Sequence, residues 1–306
     1  MPQSLAPAPA PFGRVLTAMV TPFTDSGDVD LDAAQRLATH LVEHGHDGLV
    51  VLGTTGESPT VSGEEVPALL TAVVEAVGER CAVVAGVGTN DTRHSVELAR
   101  QAEKCGAGGL LVVTPYYSKP PQEGVAQHFT TVADATGLPV MLYDIPGRTG
   151  TRIAADTFAR VADHERIVAV KDAVGDVFAG SQVMQRTGLA YYSGDDALNL
   201  AWLTHGAAGM VSVVGHVAGD DHAALVTAVD RGDLAAARAV YRRLLPAVEA
   251  IMTRTQGAIM VKAALQLQGV LGNRAVRPPL VEATPEQVDQ LRPDLVAAGL
   301  LEDTTG

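Results

Sequence analysis

The chain has 306 residues, 47% of them hydrophobic, and a mean hydropathy of +0.16, enough apolar material for a large buried core. Its formal net charge of −13 argues against nucleic acid or an anionic membrane as a partner, although local arginines can still receive a small anion. The two isolated cysteines, Cys81 and Cys105, give no disulfide framework and no CxxC motif, and read as small core residues in a reducing cytoplasm.

Residues 1–12 begin with a Pro/Ala-rich, uncharged stretch that lacks the basic and continuously apolar segments of a signal peptide, and are expected to form a disordered leader. No apolar run approaches the ~20 residues of a membrane span. Short apolar runs at 15–22, 48–53, 82–87, 110–115, 140–145, 167–171, 190–194 and 209–213 predict strands. Amphipathic stretches at 31–44, 64–77, 92–105, 122–136, 155–161, 174–187, 197–205 and 219–231 predict helices between and after them. The strands are apolar throughout rather than alternating, which means parallel strands covered by helices. Eight such units close an α/β fold of the (β/α)8 TIM-barrel type over residues 13–232. A doubly wound sheet alternates in the same way, but its nucleotide fingerprint is missing. Gly86-Val-Gly-Thr-Asn-Asp91 has Asp where the third Gly belongs, and no Walker-A sequence occurs. After residue 232 only helical patterns remain, at 234–253, 258–268 and 285–298, a C-terminal three-helix appendage over 233–306.

One strand carries an oddity. Where the run at 167–171 has room for another apolar residue, it places Lys171, one of only four lysines against eighteen arginines. Lys104, Lys119 and Lys262 lie in helical or loop-like surroundings. Burial penalises an ammonium, so the pKa falls and a neutral amine becomes available, the nucleophile that forms Schiff bases with carbonyl compounds. The same position also fits a strand-end lysine whose head snorkels to water.

In such barrels chemistry gathers at the C-terminal ends of the strands. Those ends here read Gly53-Thr-Thr-Gly-Glu-Ser58, Thr114-Pro-Tyr-Tyr-Ser-Lys-Pro120, Tyr143-Asp-Ile-Pro-Gly-Arg-Thr-Gly150, Lys171, Ser193-Gly-Asp-Asp196 and Val211-Ser212. Aromatics are only 4% of the chain, yet three of its six tyrosines fall in two of these loops. The Thr54-Thr55 pair suits either a helix-capping turn or a grip on a small carboxylate. Tyr143 suits a core aromatic or a proton shuttle beside the lysine. Arg148 suits a solvated turn or a bidentate carboxylate clamp. Asp195-Asp196 read as an N-cap, and His40, His44 and His46 as a polar helix C-terminus without metal-site context.

Taken in order, Gly53-Thr-Thr-Gly-Glu, Tyr116-Tyr117 before Lys119-Pro120, Tyr143-Asp-Ile-Pro-Gly-Arg-Thr-Gly, Val170-Lys171-Asp and Ser193-Gly-Asp-Asp resemble the dihydrodipicolinate synthase family. That family belongs to the pyruvate-dependent, class I aldolase-like barrels, and the likeness runs from about Gly13 through the C-terminal helices. The resemblance implies condensation of pyruvate with L-aspartate 4-semialdehyde, toward diaminopimelate and lysine. Lys171 would form the Schiff base and Tyr143 would donate and accept protons there. Thr54 and Tyr117 would complete a relay, with Tyr117 reaching a neighbouring subunit of a homotetramer, a dimer of dimers. Thr55 would hold the pyruvate carboxylate, Val211 and Gly194 would line the same pocket, and Arg148 would bind the semialdehyde carboxylate. No metal or organic cofactor is implied.

Sister enzymes such as N-acetylneuraminate lyase and keto-deoxy-sugar acid aldolases share the lysine and the tyrosine, but generally lack the arginine at Arg148. A non-catalytic keto-acid-binding paralogue would have no use for a whole proton relay. The family often has Asn where Asp144 stands and a small polar residue where Gly147 stands. At the positions that bind inhibitory lysine in some members, this chain has Gly63, Val66 and His94, so weak or absent feedback by lysine is expected.

Overall fold

The structure, a computed structural model, describes residues 9–303. Its strands are β1 (Val15–Ala18), β2 (Gly48–Val51), β3 (Ala82–Gly86), β4 (Gly109–Val113), β5 (Val140–Asp144), β6 (Ile167–Asp172), β7 (Ala190–Ser193) and β8 (Gly209–Ser212). They pair in parallel in chain order and close through β8 against β1, so the barrel expected from the eight apolar runs is the fold. Around it lie α1 (Leu31–Glu43), α2 (Glu65–Val77), α3 (Thr92–Lys104), α4 (Gln122–Ala133), α5 (Pro146–Thr149), α6 (Ala155–Val161), α7 (Val177–Thr187), α8 (Asn199–Thr204) and α9 (Gly215–Asp230). Three further helices follow, α10 (Leu234–Met252), α11 (Gly257–Leu267) and α12 (Pro285–Ala297).

Several strands stop earlier than their apolar runs. β1 is the extreme case, ending at Ala18 although the run continues to residue 22. Met19 N still donates to the Val50 carbonyl, but Val20 N donates to His216 Nε2 instead of a strand. The chain is leaving the ladder to form the barrel mouth, and its residues stay buried under the next helix. Four helix starts are fixed by acidic side chains: Asp30, Asp91, Asp176 and Asp233 each accept a backbone N–H of the first turn. A capping box of Thr284 and Gln287 does the same for α12.

Period two along each strand sends Leu16, Val50, Val84, Leu111, Met141, Ala169, Tyr192 and Val211 into one interior cluster. Phe12 closes its floor, donating its N–H to the Tyr192 hydroxyl oxygen at 3.3 Å. A Cβ at Gly109 would lie 2.3 Å from the Phe12 ring, which is why β4 opens on glycine. Of the expected disordered leader, residues 1–8 lie outside the described residues, whereas its end is not disordered: Phe12 is buried in the barrel floor with Ala10 packed beside it, because the open end of the barrel needs an apolar plug.

The opposite strand faces join the barrel helices in a second, larger core that also takes in Ile251, Met260 and Leu265 of α10 and α11. The C-terminal helices thus share the barrel's outer core, with α10 packed on α9, α11 and α12. Cys81 and Cys105 are half-buried at the edge of this core rather than inside it, because they stand at the start of β3 and the end of α3, where helix and strand part. No helix of the described residues is long and apolar enough to cross a membrane.

Candidate active site

Parallel register brings the two chemically unusual strand ends together. Tyr143 on β5 pairs with Lys171 on β6, and both follow interior residues by two positions, so both side chains enter the barrel. Lys171 is 5% exposed, and its Nζ stands 4.3 Å from the centroid of the Tyr143 ring. Burial lowers the Lys171 pKa from 10.5 to about 8; the Asp196 carboxylate opposes this and the Arg148 charge adds to it. Burial likewise pushes the Tyr143 phenol up to about 12, with Arg148 and the Thr54 hydroxyl offsetting part of the rise. A base poised near neutrality thus sits against an acid that keeps its proton. Gly194 explains how the lysine fits, since a Cβ there would lie 3.0 Å from its Cγ and 3.1 Å from its Cε.

A cleft of about 310 Å³ opens above this pair, bounded by Thr54, Tyr116, Tyr117, Tyr143 and Arg148. Lys171 does not line it; its Nζ lies against the face of the Tyr143 ring, which does. Thr55 is buried beside Thr54 in the β2 loop, and Val211 sits in the barrel interior; neither reaches the cleft wall. Arg148 is carried by α5, a single turn not apparent in the sequence. Proline at its first position presets φ, and Gly150 at φ +73° ends it. Gly86 and Gly88 prove to be packing devices, since a Cβ at either would lie 2.3 Å from the backbone of Leu52 or Val113.

All four non-glycine residues with left-handed φ among the described residues belong to the two loops beside this cleft. They are Leu52, Glu57, Tyr117 and Lys119. Such conformations are costly and persist where surroundings impose them, often at functional sites. Tyr117 is 90% exposed, a large aromatic on a strained backbone that its own chain leaves uncovered.

Asp195 caps the turn after β7, its carboxylate accepting from Ala197 N, as expected. Asp196 does not share that role. It is buried, and its carboxylate accepts from the Ser212 hydroxyl, the backbone N–H groups of Val213 and Val214, and the Asn199 amide. It therefore ties the β7 loop to the β8 loop and stations an anion near Lys171, a long-range pairing that adjacency to Asp195 concealed. Of the histidines, His40 and His44 do lie together at the end of α1, their rings 4.3 Å apart and tilted by 46°. His46 instead turns inward, with Nε2 2.6 Å from the Thr17 hydroxyl and Nδ1 2.8 Å from the Leu41 carbonyl oxygen. Behind the site, on the outer faces of β5 and β6, Asp144 and Asp172 form the next registered pair. Asp144 is buried with one carboxylate oxygen unpartnered, and burial raises its pKa to about 7.

A closed parallel barrel with a single lysine inside it, a phenol against that lysine and an arginine on the rim has the make-up of a lyase working through a Schiff base. Comparison with known proteins gives the particular family. The chain belongs to the dihydrodipicolinate synthetase family, whose model matches residues 11–298. It is 68% identical over 301 residues to the 4-hydroxy-tetrahydrodipicolinate synthase of Kineococcus radiotolerans, covering 98% of both chains. It is 63% identical over 298 residues to the same enzyme of Acidothermus cellulolyticus, covering 97% of this chain and 96% of that one. Among solved structures, the dihydrodipicolinate synthase of Cyanidioschyzon merolae with lysine bound superposes with a TM-score of 0.92 at 41% identity, over 96% of this chain and all of that one.

Proposed function

We propose that the chain is a 4-hydroxy-tetrahydrodipicolinate synthase that joins pyruvate to L-aspartate 4-semialdehyde through a Schiff base on Lys171. The observation that carries this reading is the Lys171–Tyr143 contact at the barrel mouth, with Nζ 4.3 Å from the ring centroid. Neutral Nζ attacks the pyruvate carbonyl carbon. Tyr143, still protonated, gives its proton to the departing hydroxyl so that water leaves and the imine forms. Loss of a methyl proton converts the imine to an enamine, whose carbon attacks the semialdehyde aldehyde. The product amine then attacks the imine carbon and displaces Lys171 as the ring closes. The protonated imine is itself the electron sink, so the route needs no metal or organic cofactor.

The other residues divide the remaining work. Thr54 passes protons to and from Tyr143, Thr55 receives the pyruvate carboxylate, and Val211 and Gly194 border the space that pyruvate fills. Arg148, on the rim, clamps the semialdehyde carboxylate with two parallel N–H donors. Tyr117 ends the relay across a subunit boundary, in a homotetramer built as a dimer of dimers; its exposure on a strained backbone supports that role. The two free, half-buried cysteines suit a reducing cytoplasm.

The decisive experiment is borohydride trapping with pyruvate followed by peptide mass mapping. The expected result is one reduced pyruvyl adduct on Lys171, and no adduct there would sink the Schiff-base route. Turnover with the semialdehyde but not with N-acetylneuraminate then separates this reading from the sugar-acid aldolases.

A further inference from the structure

Thr54 and Thr55 belong to a loop that ends on Glu57, and Glu57 turns away from the cleft. Its φ of +54° is one that a side-chain-bearing residue holds only where its surroundings impose it. Glu57 is 3% exposed, and its carboxylate is shared between two partners from the C-terminal region. Lys262 Nζ donates to Oε1 at 2.6 Å, and the Arg277 backbone N–H donates to Oε2 at 2.9 Å. Lys262, on α11, is 1% exposed and also donates to the Ala275 carbonyl oxygen at 2.7 Å. Its Nζ stands 4.3 Å over the Phe23 ring, on whose face the Arg277 guanidinium also lies.

An ion pair this deep is a poor way to stabilise a fold, because desolvation consumes most of its attraction and apolar residues would pack as well. What it supplies is direction. The Glu57 N–H donates to the Thr54 carbonyl oxygen at 3.2 Å, so a displaced Glu57 displaces Thr54. On the other side the Thr21 hydroxyl donates to the Gly56 carbonyl oxygen at 2.6 Å, leaving the loop no slack.

We propose that Lys262 is a positioning residue for the active site, acting through Glu57 to fix how Thr54 faces Tyr143 and where Thr55 meets the pyruvate carboxylate. The proposal rests on the Schiff-base reading above. It makes the C-terminal helices part of the working site, although none of their residues enters the cleft. Semialdehyde binding, set by Arg148 on α5, is outside its reach.

The test compares the full-length protein with Lys262→Met, Glu57→Gln and the double variant, measuring both Michaelis constants, pyruvate trapping and thermal unfolding. Lys262→Met leaves an unpaired buried carboxylate, and the pyruvate KM is expected to rise at least about tenfold. The semialdehyde KM should stay within about twofold, and the double variant should lose less than the two single changes added together. A lower melting temperature with both constants unchanged would overturn the proposal, since Lys262 would then serve the fold alone. Should Lys262→Met not fold, Glu57→Gln decides: its amide nitrogen would face the Arg277 N–H, so the loop must shift and the pyruvate KM rise, and an unchanged KM overturns the proposal. A wild-type protein that traps no pyruvate overturns the Schiff-base reading and this proposal with it; trapping by the wild type with unaltered variants overturns this proposal only.

Discussion

If burial does set the amine free, imine formation must follow the titration of Lys171. With its pKa held at about 8, roughly a tenth of the lysine is neutral at about pH 7, against roughly three parts in ten thousand for an ordinary lysine. The gain in nucleophile is thus roughly 300-fold, worth about 3 kcal/mol. Burial is the largest cause, and the Arg148 cation adds to it. Arg148→Met removes that cation without refilling the lysine's surroundings with water, so the Lys171 pKa should rise. The assay is the initial rate of cyanoborohydride trapping with saturating pyruvate across the range from about pH 6 to about pH 10, read by intact mass. The wild-type rate should climb with pH and level off above about pH 8, and the Arg148→Met profile should lie at higher pH. A wild-type inflection near that of a free lysine would refute the reasoning, because Lys171 would then be solvated. An Arg148→Met profile displaced downward would refute the contribution of the arginine.

Truncating the same arginine tests substrate binding: Arg148→Ala should raise the semialdehyde KM by about 10–100-fold while the pyruvate KM hardly moves, in line with a lost charged hydrogen-bond pair. An unchanged semialdehyde KM removes it from that role. Asp144 gives a stability prediction. Burial raises its folded pKa from 3.8 to about 7, so between those values the native state keeps a proton that the unfolded chain has released. Stability contributed by this group is therefore lost as pH rises through that window. Asp144→Asn, which can still accept from Ile153 N, should stabilise by at most about 4 kcal/mol above pH ~7 and by almost nothing near pH ~4. Coincident denaturation curves at about pH 8 would contradict this. Finally, Gly63, Val66 and His94 offer an effector ammonium no carboxylate, so half-maximal inhibition by lysine should need more than millimolar concentrations; a steady-state titration showing sub-millimolar inhibition refutes it.

Local pattern alone determined a good deal about this protein. Eight apolar runs spaced by amphipathic stretches carry the barrel, because parallel strands buried on both faces must be apolar and eight of them close. Position in a run also placed Lys171 at a strand end, and Tyr143 two positions beyond the interior Met141. That the two side chains meet depends on strand register, which only the closed barrel fixes. Sequence neighbours were a poorer guide where partners are remote. Asp195 and Asp196 look alike in the chain, but one caps a turn beside it while the other reaches 16 positions to Ser212. Lys262 looks like a helix residue among many, and the one available signal was that its helix is otherwise apolar except for Gln266 near its end, close to the all-round apolar character of buried helices. Its partner Glu57 lies 205 positions away. A pairing over such a distance leaves no periodicity to read, because nothing short of folding brings a loop at the barrel mouth against the C-terminal helices.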